Sequence, residues 1–156
     1  MVLTTMCYLK SEGGVLLLDR VKKKKDINAG KWIGVGGKLE KGESPRACAI
    51  RETFEETGLY MNICHLLGFV TFPGLYYGED EIMFVYWSND FSGTLHDTDE
   101  GVLKWIPDDQ VFDMPTWPAD HHYLEWMYAA WHDHDTRVRE ARVVYENDEL
   151  VSYEEF

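Results

Sequence analysis

The sequence predicts a mixed fold, either α+β or a mixed α/β sandwich, in which strands outnumber helices. Short apolar runs separated by glycine and proline recur along the chain and are typical of strands. One segment in the middle has helical apolar spacing, and a second follows near the end. A chain of 156 residues fits the usual size of one domain, so we expect a single domain over residues 1–156.

The first 35 residues are predicted to form a hairpin and a short strand. Residues 2–10 and 14–21 are apolar runs on either side of a glycine pair, Gly13-Gly14, which is typical of a hairpin. A polar loop rich in lysine follows over residues 22–31. Residues 32–35 then form a brief strand that ends at two further glycines.

A helix is predicted over residues 45–57. Ser44 is a good N-cap, Pro45 suits the first helical position, and Gly58 is a good C-terminal stop. Apolar residues recur within it at spacings of three and four, so one face is expected to pack inward. These residues are Ala47, Ile50 and Phe54.

The second half of the chain is predicted to contain three strands, a helix and a terminal hairpin. The strands are expected at residues 62–72, 81–88 and 102–106, and an aromatic-rich helix at residues 120–131. Two alternating runs then flank Asn147-Asp148, which predicts a C-terminal β-hairpin.

Composition excludes several classes of function. Lys plus Arg number 15 and Asp plus Glu 28, so the formal net charge of −13 argues against general binding to nucleic acid or to anionic membranes. No apolar run is long enough to span a bilayer. The three cysteines, Cys7, Cys48 and Cys64, are too irregularly spaced for a disulfide framework or a zinc site. We therefore expect them in the core of a cytoplasmic protein, and the N-terminus lacks the features of a signal peptide.

The strongest chemical signal is an acidic cluster on the predicted mid-chain helix. Glu52, Glu55 and Glu56 are spaced so that they project from one helix face. A solvated surface face is the ordinary explanation of such a cluster. Alternatively, a hard divalent cation such as Mg²⁺ or Mn²⁺ relieves the repulsion among the carboxylates. Arg51 and Glu43 are expected to pair and to brace the preceding loop against the helix.

The wider context of this cluster resembles the signature box of the Nudix hydrolases. The matching identities have fixed spacing within residues 37–59, here termed the box segment: Gly37, Glu43, Arg51, Glu52, Glu55, Glu56, Gly58 and Leu59. Thr53 is the one mild departure, because the family usually has an aliphatic residue there. The resemblance implies an α/β/α sandwich with a mixed β-sheet, the box forming a loop, a helix and a loop.

The same resemblance implies hydrolysis of a nucleoside diphosphate derivative, with Mg²⁺ (or Mn²⁺) as cofactor. The metal ligands implied are Glu52, Glu55 and Glu56, with the Gly36 carbonyl and Glu100 as further ligands. Either Glu52 or Glu100 serves as the general base, and Arg51 and Glu56 complete the catalytic set. Glu100 has an alternative interpretation as a surface acid.

Segments outside the box are similar to those of the MutT-like and mammalian oxidised-purine nucleotide pyrophosphatases. This similarity implies a purine nucleoside triphosphate as substrate, such as 8-oxo-dGTP, and a role in nucleotide-pool sanitation that supports DNA repair. Trp117 would stack on the purine, and the Asp120 carboxylate would accept hydrogen bonds from a guanine-like edge. Further substrate-binding residues implied are Ile33, Gly37, Lys38 and Phe72. A basic residue near the entrance is Lys23, or alternatively Arg20 or Lys22, and either Thr5 or Tyr8 would line the floor of the pocket.

Two departures from that subgroup weaken the predicted preference for oxidised purines. Ile33 stands where the mammalian enzyme has a base-reading Asn, and Ala119 where it has a second Asp. Trp117 has an alternative interpretation as a core residue, and Asp120 as the N-cap of the following helix. Other diphosphate substrates (ADP-ribose, a dinucleoside polyphosphate or capped RNA) and a non-catalytic nucleotide sensor remain alternatives, as do a monomer and a homodimer.

Overall fold

A computed structural model describes residues 1–20 and 30–156 of the chain. Within these ranges it contains ten strands, two α-helices and one short 3₁₀ helix, Val111–Asp113. The strands are β1 (Val2–Leu9), β2 (Gly14–Asp19), β3 (Trp32–Ile33), β4 (Leu59–Met61), β5 (His65–Tyr76), β6 (Glu79–Ser88), β7 (Phe91–Gly93), β8 (Val102–Pro107), β9 (Arg139–Glu146) and β10 (Glu149–Glu155). The helices are α1 (Pro45–Thr57) and α2 (Asp120–Asp133).

The centre of the fold is a five-stranded mixed sheet in the order β1-β6-β5-β9-β10. β1 runs parallel to β6 and β9 runs parallel to β5, whereas the other neighbours are antiparallel. A three-stranded sheet, β3-β2-β8, and a two-stranded pair, β4-β7, complete the architecture. The predicted mixed α/β class is therefore confirmed.

The two helices cover opposite faces of the central sheet, because successive residues of β1 point to opposite sides. Met6 and Tyr8 belong to the apolar cluster that contains the buried residues of α2. Cys7 and Leu9 belong to the cluster beneath α1. The sheet thus separates two cores, and all three cysteines are buried and free, as expected.

The predicted N-terminal hairpin is wrong. β1 lies in the central sheet and β2 in the three-stranded sheet. Between them the chain makes a short turn, with a bridge from Lys10 to Val15 and a hydrogen bond from the Ser11 amide to the Gly14 carbonyl. The Gly13-Gly14 turn therefore carries the chain from one sheet to the other. The local pattern did not reveal this, because the partner of β1 is β6, almost 80 residues away in the sequence.

Other boundaries also differ from the prediction. The brief strand contains only Trp32–Ile33, β5 begins at His65 and continues through Pro73 to Tyr76, and β4 and β7 were not predicted. The C-terminal hairpin is confirmed, with positive φ at both Asn147 and Asp148. No helix among the described residues is long and apolar enough to cross a membrane.

The ends of α1 are confirmed, but its predicted apolar face is wrong at two of three residues, since only Ile50 packs against the core. The Ser44 side chain accepts a hydrogen bond from the Ala47 amide, and Gly58 ends the helix with φ 79°. The buried residues of α1 are Cys48, Ala49, Thr53 and Thr57, whereas Ala47 and Phe54 are exposed. Small residues occupy this face because the helix lies close to the edge of the central sheet: the Cys48 thiol is 3.5 Å from the Thr5 hydroxyl.

The Ser44 cap makes a measurable prediction about stability. Ser44→Ala removes the acceptor of the Ala47 amide and is expected to lower the free energy of unfolding by about 1 kcal/mol. Ser44→Asp is the matched control, because an aspartate carboxylate also caps a helix N-terminus. Urea denaturation measures both variants, and equal losses in Ser44→Ala and Ser44→Asp would contradict the capping role.

Candidate active site

The loop before α1 lies along the free edge of β1, and this contact positions the box segment. The Thr5 amide donates to the Gly37 carbonyl at 2.8 Å, and the Leu39 amide donates to the Leu3 carbonyl at 3.0 Å. Isolated bridges join Thr4 to Lys38 and Cys7 to Val35 on the same edge. The loop therefore extends the central sheet by a few residues before the chain turns into α1.

The Arg51 guanidinium binds the acidic residues of the box segment to one another. Its Nε and Nη2 atoms donate to the two carboxylate oxygens of Glu43 at 2.7 and 2.9 Å. Nη1 donates to Glu52 at 2.9 Å and to Glu55 at 3.3 Å. Nη2 also donates to the Lys38 carbonyl at 3.3 Å, so Arg51 joins the loop to the helix.

The expected pairing of Arg51 with Glu43 is thus confirmed. Hydrogen bonds from Arg51 lower the pKa of Glu43 to about 2. Arg51 thus holds the loop of the box segment against α1, and its predicted catalytic role stays a prediction.

The three glutamates on α1 differ in environment. The Glu55 side chain is 57% exposed and lies at the rim, whereas that of Glu52 is 18% exposed. Burial is the main cause that raises the pKa of Glu52 above its usual range. Burial, followed by repulsion from Glu52 and Glu100, raises the pKa of Glu56 to about 8. The cluster is therefore not a solvated face, and full ionisation of its carboxylates at neutral pH is unfavourable.

Glycines allow the loop to approach this cluster closely. The Gly36 amide donates to the Glu56 carboxylate at 3.3 Å. A Cβ atom at Gly36 would collide with the backbone carbonyl of Thr5. One at Gly37 would lie 2.5 Å from the Glu52 carboxyl carbon. The carboxylates of Glu52 and Glu56 thus face backbone that only glycine can provide.

Glu100 joins the same site from the loop before β8. The Arg20 guanidinium binds its carboxylate at 3.0 Å, and the Glu100 side chain is 29% exposed. Its charge contributes to the raised pKa of Glu56, so the two carboxylates lie within electrostatic reach of each other. This environment argues against the alternative that Glu100 is merely a surface acid.

The predicted base-reading residues lie across the central sheet from α1. Asp120 is buried, and its carboxylate accepts a hydrogen bond from the Thr116 hydroxyl at 3.2 Å. Burial raises the pKa of Asp120 to about 7. The alternative interpretation of Asp120 as an N-cap is wrong, because Ala119 holds that position and no side chain caps the helix.

Asp120 lines a narrow pocket that contains the other predicted residue of this region, Ile33. Its walls are Tyr8, Leu17, Trp32, Ile33, Val111, Thr116, Asp120 and Leu124. These side chains leave almost no room for a water molecule between them. Asp120 is the one carboxylate among otherwise apolar or hydroxyl-bearing walls.

Trp117 belongs to a row of aromatic rings beside this pocket. Its ring contacts Tyr145 edge-on, with centroids 5.3 Å apart, and Tyr145 stacks on Phe72 at 6.4 Å. Phe72 is buried in the core beneath α2, whereas Trp117 is half-buried. The Lys31 ammonium lies 4.3 Å from the centre of the Trp117 ring, so a cation contacts the predicted stacking residue.

The remaining predicted substrate-binding residues are two lysines. The Lys38 ammonium lies 5.3 Å from the centre of the Tyr76 ring. Lys23 lies outside the described residues. Sequence reasoning missed Lys31, Thr116 and Tyr145, whose roles arise from contacts between distant segments and leave no local motif.

Comparison with known proteins identifies the family. The sequence matches the NUDIX domain over residues 2–127. The chain belongs to the Nudix hydrolase family. It is 34% identical to an uncharacterised Nudix hydrolase of Bacillus subtilis over 127 residues, which cover 79% of this chain and 77% of that protein.

Two further relatives extend this similarity. The chain is 32% identical to the zebrafish (Danio rerio) oxidized purine nucleoside triphosphate hydrolase over 120 residues, covering 76% of this chain and 74% of that protein. The crystal structure of a mutator MutT protein from Bacillus halodurans superposes with a TM-score of 0.79 at 28% identity. That alignment covers 99% of this chain and 97% of the other, and it confirms the Nudix fold beyond the box segment.

Nudix hydrolases generally use divalent metal ions, and the donor set of this chain fits such an ion. Its acidic residues offer hard oxygen ligands. Burial, and after it repulsion from neighbouring carboxylates, raises the pKa values of Glu52 and Glu56, and a bound cation would favour their ionised forms. Among residues 1–20 and 30–156, no three acidic, histidine or cysteine side chains already form a metal-binding group. Three of the carboxylates are instead bound by arginines: Glu52 and Glu55 by Arg51, and Glu100 by Arg20.

Gly37→Ala tests whether the close approach of the loop positions Glu52. The added methyl group would force the Glu52 carboxylate aside, so we expect kcat/KM for the enzyme's substrate to fall by about 100-fold. Gly13→Ala is the control, because a Cβ atom there meets nothing within 4 Å. Steady-state kinetics measure kcat/KM for both variants at equal folded fractions. Unchanged activity in Gly37→Ala would contradict the close contact between Gly37 and the Glu52 carboxylate.

Glu56→Gln tests the electrostatics of the cluster without metal. The folded protein binds the Glu56 proton more tightly than the unfolded chain, so ionisation of Glu56 reduces stability as pH rises from about 4.5 to about 8. In EDTA, Glu56→Gln should therefore match the wild type at pH 4 and exceed its unfolding free energy by about 2–4 kcal/mol above pH 8. With metal present, its turnover should fall by orders of magnitude.

Thermal and chemical denaturation across this pH range measure the first effect. Glu55→Gln is the control for stability, because that side chain is mostly exposed. If the difference in unfolding free energy between Glu56→Gln and the wild type does not change with pH, ionisation of Glu56 does not destabilise the folded state.

Proposed function

We propose that this chain is a metal-dependent pyrophosphohydrolase of purine (deoxy)nucleoside triphosphates, with oxidised purines such as 8-oxo-dGTP as preferred substrates. The single observation that carries the purine assignment is the buried Asp120 carboxylate three residues beyond the half-buried Trp117. A carboxylate held in an apolar pocket can accept two hydrogen bonds from the N1–H and N2–H groups of guanine. The 32% identity to an oxidized purine nucleoside triphosphate hydrolase supports the same assignment.

The metal would be Mg²⁺, with Mn²⁺ as the alternative, held by Glu52, Glu55 and Glu56 together with Glu100 and the Gly36 carbonyl. When bound, it supplies neutralisation of the phosphate oxygens and activation of water. Arg51 keeps the box glutamates in place, and the Gly36 amide orients the Glu56 carboxylate.

Hydrolysis needs an acceptor for the proton of the attacking water. The water oxygen forms a bond to one phosphorus, the bond from that phosphorus to the bridging oxygen breaks, and the products are a nucleoside monophosphate and pyrophosphate. Glu52 and Glu100 are the two candidate general bases. Each carboxylate is held by an arginine, Glu52 by Arg51 and Glu100 by Arg20, so both are oriented within the cluster.

On the base side, Trp117 would stack on the purine and displace or sandwich the Lys31 ammonium. Phe72 would act through Tyr145, since it is buried behind that ring. Ile33 would contribute an apolar wall. Lys38 and Lys23 would offset the repulsion between a polyphosphate and a chain of net charge −13. A role in sanitising the cytoplasmic nucleotide pool, and thereby in DNA repair, follows from this activity.

Another nucleotide specificity remains a second candidate. The chain is 27% identical to the CTP pyrophosphohydrolase of Escherichia coli over 80% of its own length and 90% of that protein. Ile33 and Ala119 also remove polar groups that would otherwise read a purine. CTP is therefore included among the test substrates, together with ADP-ribose.

The first test compares kcat/KM for 8-oxo-dGTP with kcat/KM for dGTP, dATP, CTP and ADP-ribose in the presence of Mg²⁺. The release of pyrophosphate or phosphate measures each reaction. We expect the largest value for 8-oxo-dGTP. Release of pyrophosphate from none of the triphosphates would refute the proposal. Comparable values for all substrates would retain Nudix chemistry and discard the assigned base recognition.

Variants of the base side separate recognition from chemistry. Trp117→Ala removes the stacking surface and should lower kcat/KM about 10–100-fold, mainly through KM. Asp120→Asn removes one acceptor and should reduce discrimination between guanine-like and adenine-like bases. Asp133→Asn, an exposed residue at the end of α2, is the control for the loss of a carboxylate. Unaltered base discrimination in Asp120→Asn would exclude Asp120 as the reading residue.

A further inference from the structure

A second carboxylate, Glu81, lies on the same face of the central sheet as Phe72. Glu81 of β6 stands directly opposite Phe72 of β5 in the antiparallel register and opposite Val2 of β1 in the parallel register. Residues paired in this way share a face, and their Cβ atoms lie about 4.5–5.5 Å apart. The next residue of β6 on that face, Met83, packs against the core beneath α2.

The Glu81 carboxylate is unusual for its surroundings. Its neighbours on this face are mainly apolar, and burial raises its pKa above the usual range. The Thr4 hydroxyl donates to one of its oxygens at 2.6 Å. Within residues 1–20 and 30–156, no ion pair of 4 Å or less joins Glu81 to a lysine, an arginine or a histidine.

A half-buried carboxylate without a cationic partner destabilises the folded protein. Methionine or leucine would suit an apolar sheet face better, so the structural role of Glu81 alone does not account for its presence. A carboxylate offers about four lone-pair positions, and the Thr4 hydroxyl takes up one of them. The group therefore retains capacity to accept hydrogen bonds from a ligand.

The location connects this acceptor with the candidate substrate pocket. Phe72 contacts Tyr145, which contacts Trp117, so Glu81 lies at one end of the aromatic row and Trp117 at the other. Thr4 is bridged to Lys38, the residue that follows the glycines of the box segment. Glu81 thus lies on the substrate-facing side of the sheet, between the proposed stacking residue and the loop of the box segment.

We infer that Glu81, oriented by Thr4, is a specificity-determining residue that accepts a hydrogen bond from an N–H or O–H donor on the nucleoside part of the substrate. This inference rests on the proposed function. The donor is either an exocyclic amino group of the base or a hydroxyl group of the sugar. Asp120 and Glu81 would then hold the nucleoside from two sides of the aromatic row. Because the Ile33 side chain cannot form a hydrogen bond, the carboxylates would provide the polar contacts with the nucleoside.

The test compares Glu81→Met and Glu81→Gln with the wild type on matched nucleotides. dGTP and dITP differ by the 2-amino group, and dGTP and ddGTP differ by the 3′-hydroxyl. Glu81→Met should lower kcat/KM for dGTP about 10–100-fold, the usual range for a hydrogen bond to a charged acceptor. It should leave kcat/KM for the analogue that lacks the recognised donor nearly unchanged. Glu81→Gln, which keeps one acceptor oxygen, should show a smaller loss.

The control is Glu140→Gln on β9, which pairs with Phe69 on the opposite face of the same sheet and is exposed. Thr4→Val removes the hydroxyl that orients Glu81 and should reproduce part of its selectivity loss. Equal losses on all three nucleotides, or losses no larger than in Glu140→Gln, would overturn the inference.

A second readout needs no turnover. Because the unpaired carboxylate burdens the folded state, Glu81→Met should raise the melting temperature by a few degrees, about 2–5 °C. A lower melting temperature would assign Glu81 a structural role and overturn the inference. If the wild type releases pyrophosphate from none of the nucleotides, the proposed function fails and this inference fails with it. Turnover with selectivity that Glu81→Met does not alter overturns the inference alone.

Discussion

The Arg51 guanidinium is the contact on which the acidic side of this protein depends. Carboxylates from α1 and from the loop before it approach one another here, and Arg51 contacts four of them. Because its five donors form a rigid planar fork, Arg51 can hold Glu43 with two hydrogen bonds and still reach Glu52. A lysine would neutralise the same charge but would not fix the loop and the helix in one geometry.

The loop before α1 also connects the two sides of the candidate site through its contacts with β1. β1 is lined on one face by Thr5 and Cys7, which contact α1, and on the other by Met6 and Tyr8, which contact the region of α2. The loop of residues 35–39 binds the free edge of this strand. In the proposed function, a nucleotide bound across that edge would place its phosphates towards the glutamates and its base towards Asp120. The position of β1 would then set the distance between the metal-binding glutamates and the base-binding residues.

Sequence reasoning succeeded where the determinants are local. The helix caps Ser44 and Gly58, the terminal turn at Asn147 and the pairing of Arg51 with Glu43 all depend on residues within about ten positions. It failed for the partner of β1, because strand pairing over almost 80 residues has no local signature. It also mistook exposed Phe54 for a core residue, since the small residues Cys48 and Ala49 are those that fit against the sheet.

The candidate site was predictable in part for the same reason. The box segment is contiguous, so helical spacing alone places its three α1 glutamates on one face. The base side is assembled from Lys31, Thr116, Asp120 and Tyr145, which come from three separate stretches of chain. Glu81 meets Thr4 only through the register of β1 with β6, and alternation along β6 alone does not distinguish it from a solvent-facing acid.

Carboxylates with raised pKa values are concentrated around the two sides of this site. Burial is the largest cause for Glu52, Glu56, Glu81 and Asp120 alike. In each of these groups the ionised form is less favourable in the folded protein than in the unfolded chain. Carboxylates whose ionised form is unfavourable are expected at a binding site, because a ligand there can supply a positive charge or hydrogen-bond donors. A cation would compensate Glu52 and Glu56, whereas N–H or O–H donors of a nucleoside would compensate Asp120 and Glu81. The distribution of these carboxylates therefore agrees with the proposed division of the site into a metal-binding side and a nucleoside-reading side.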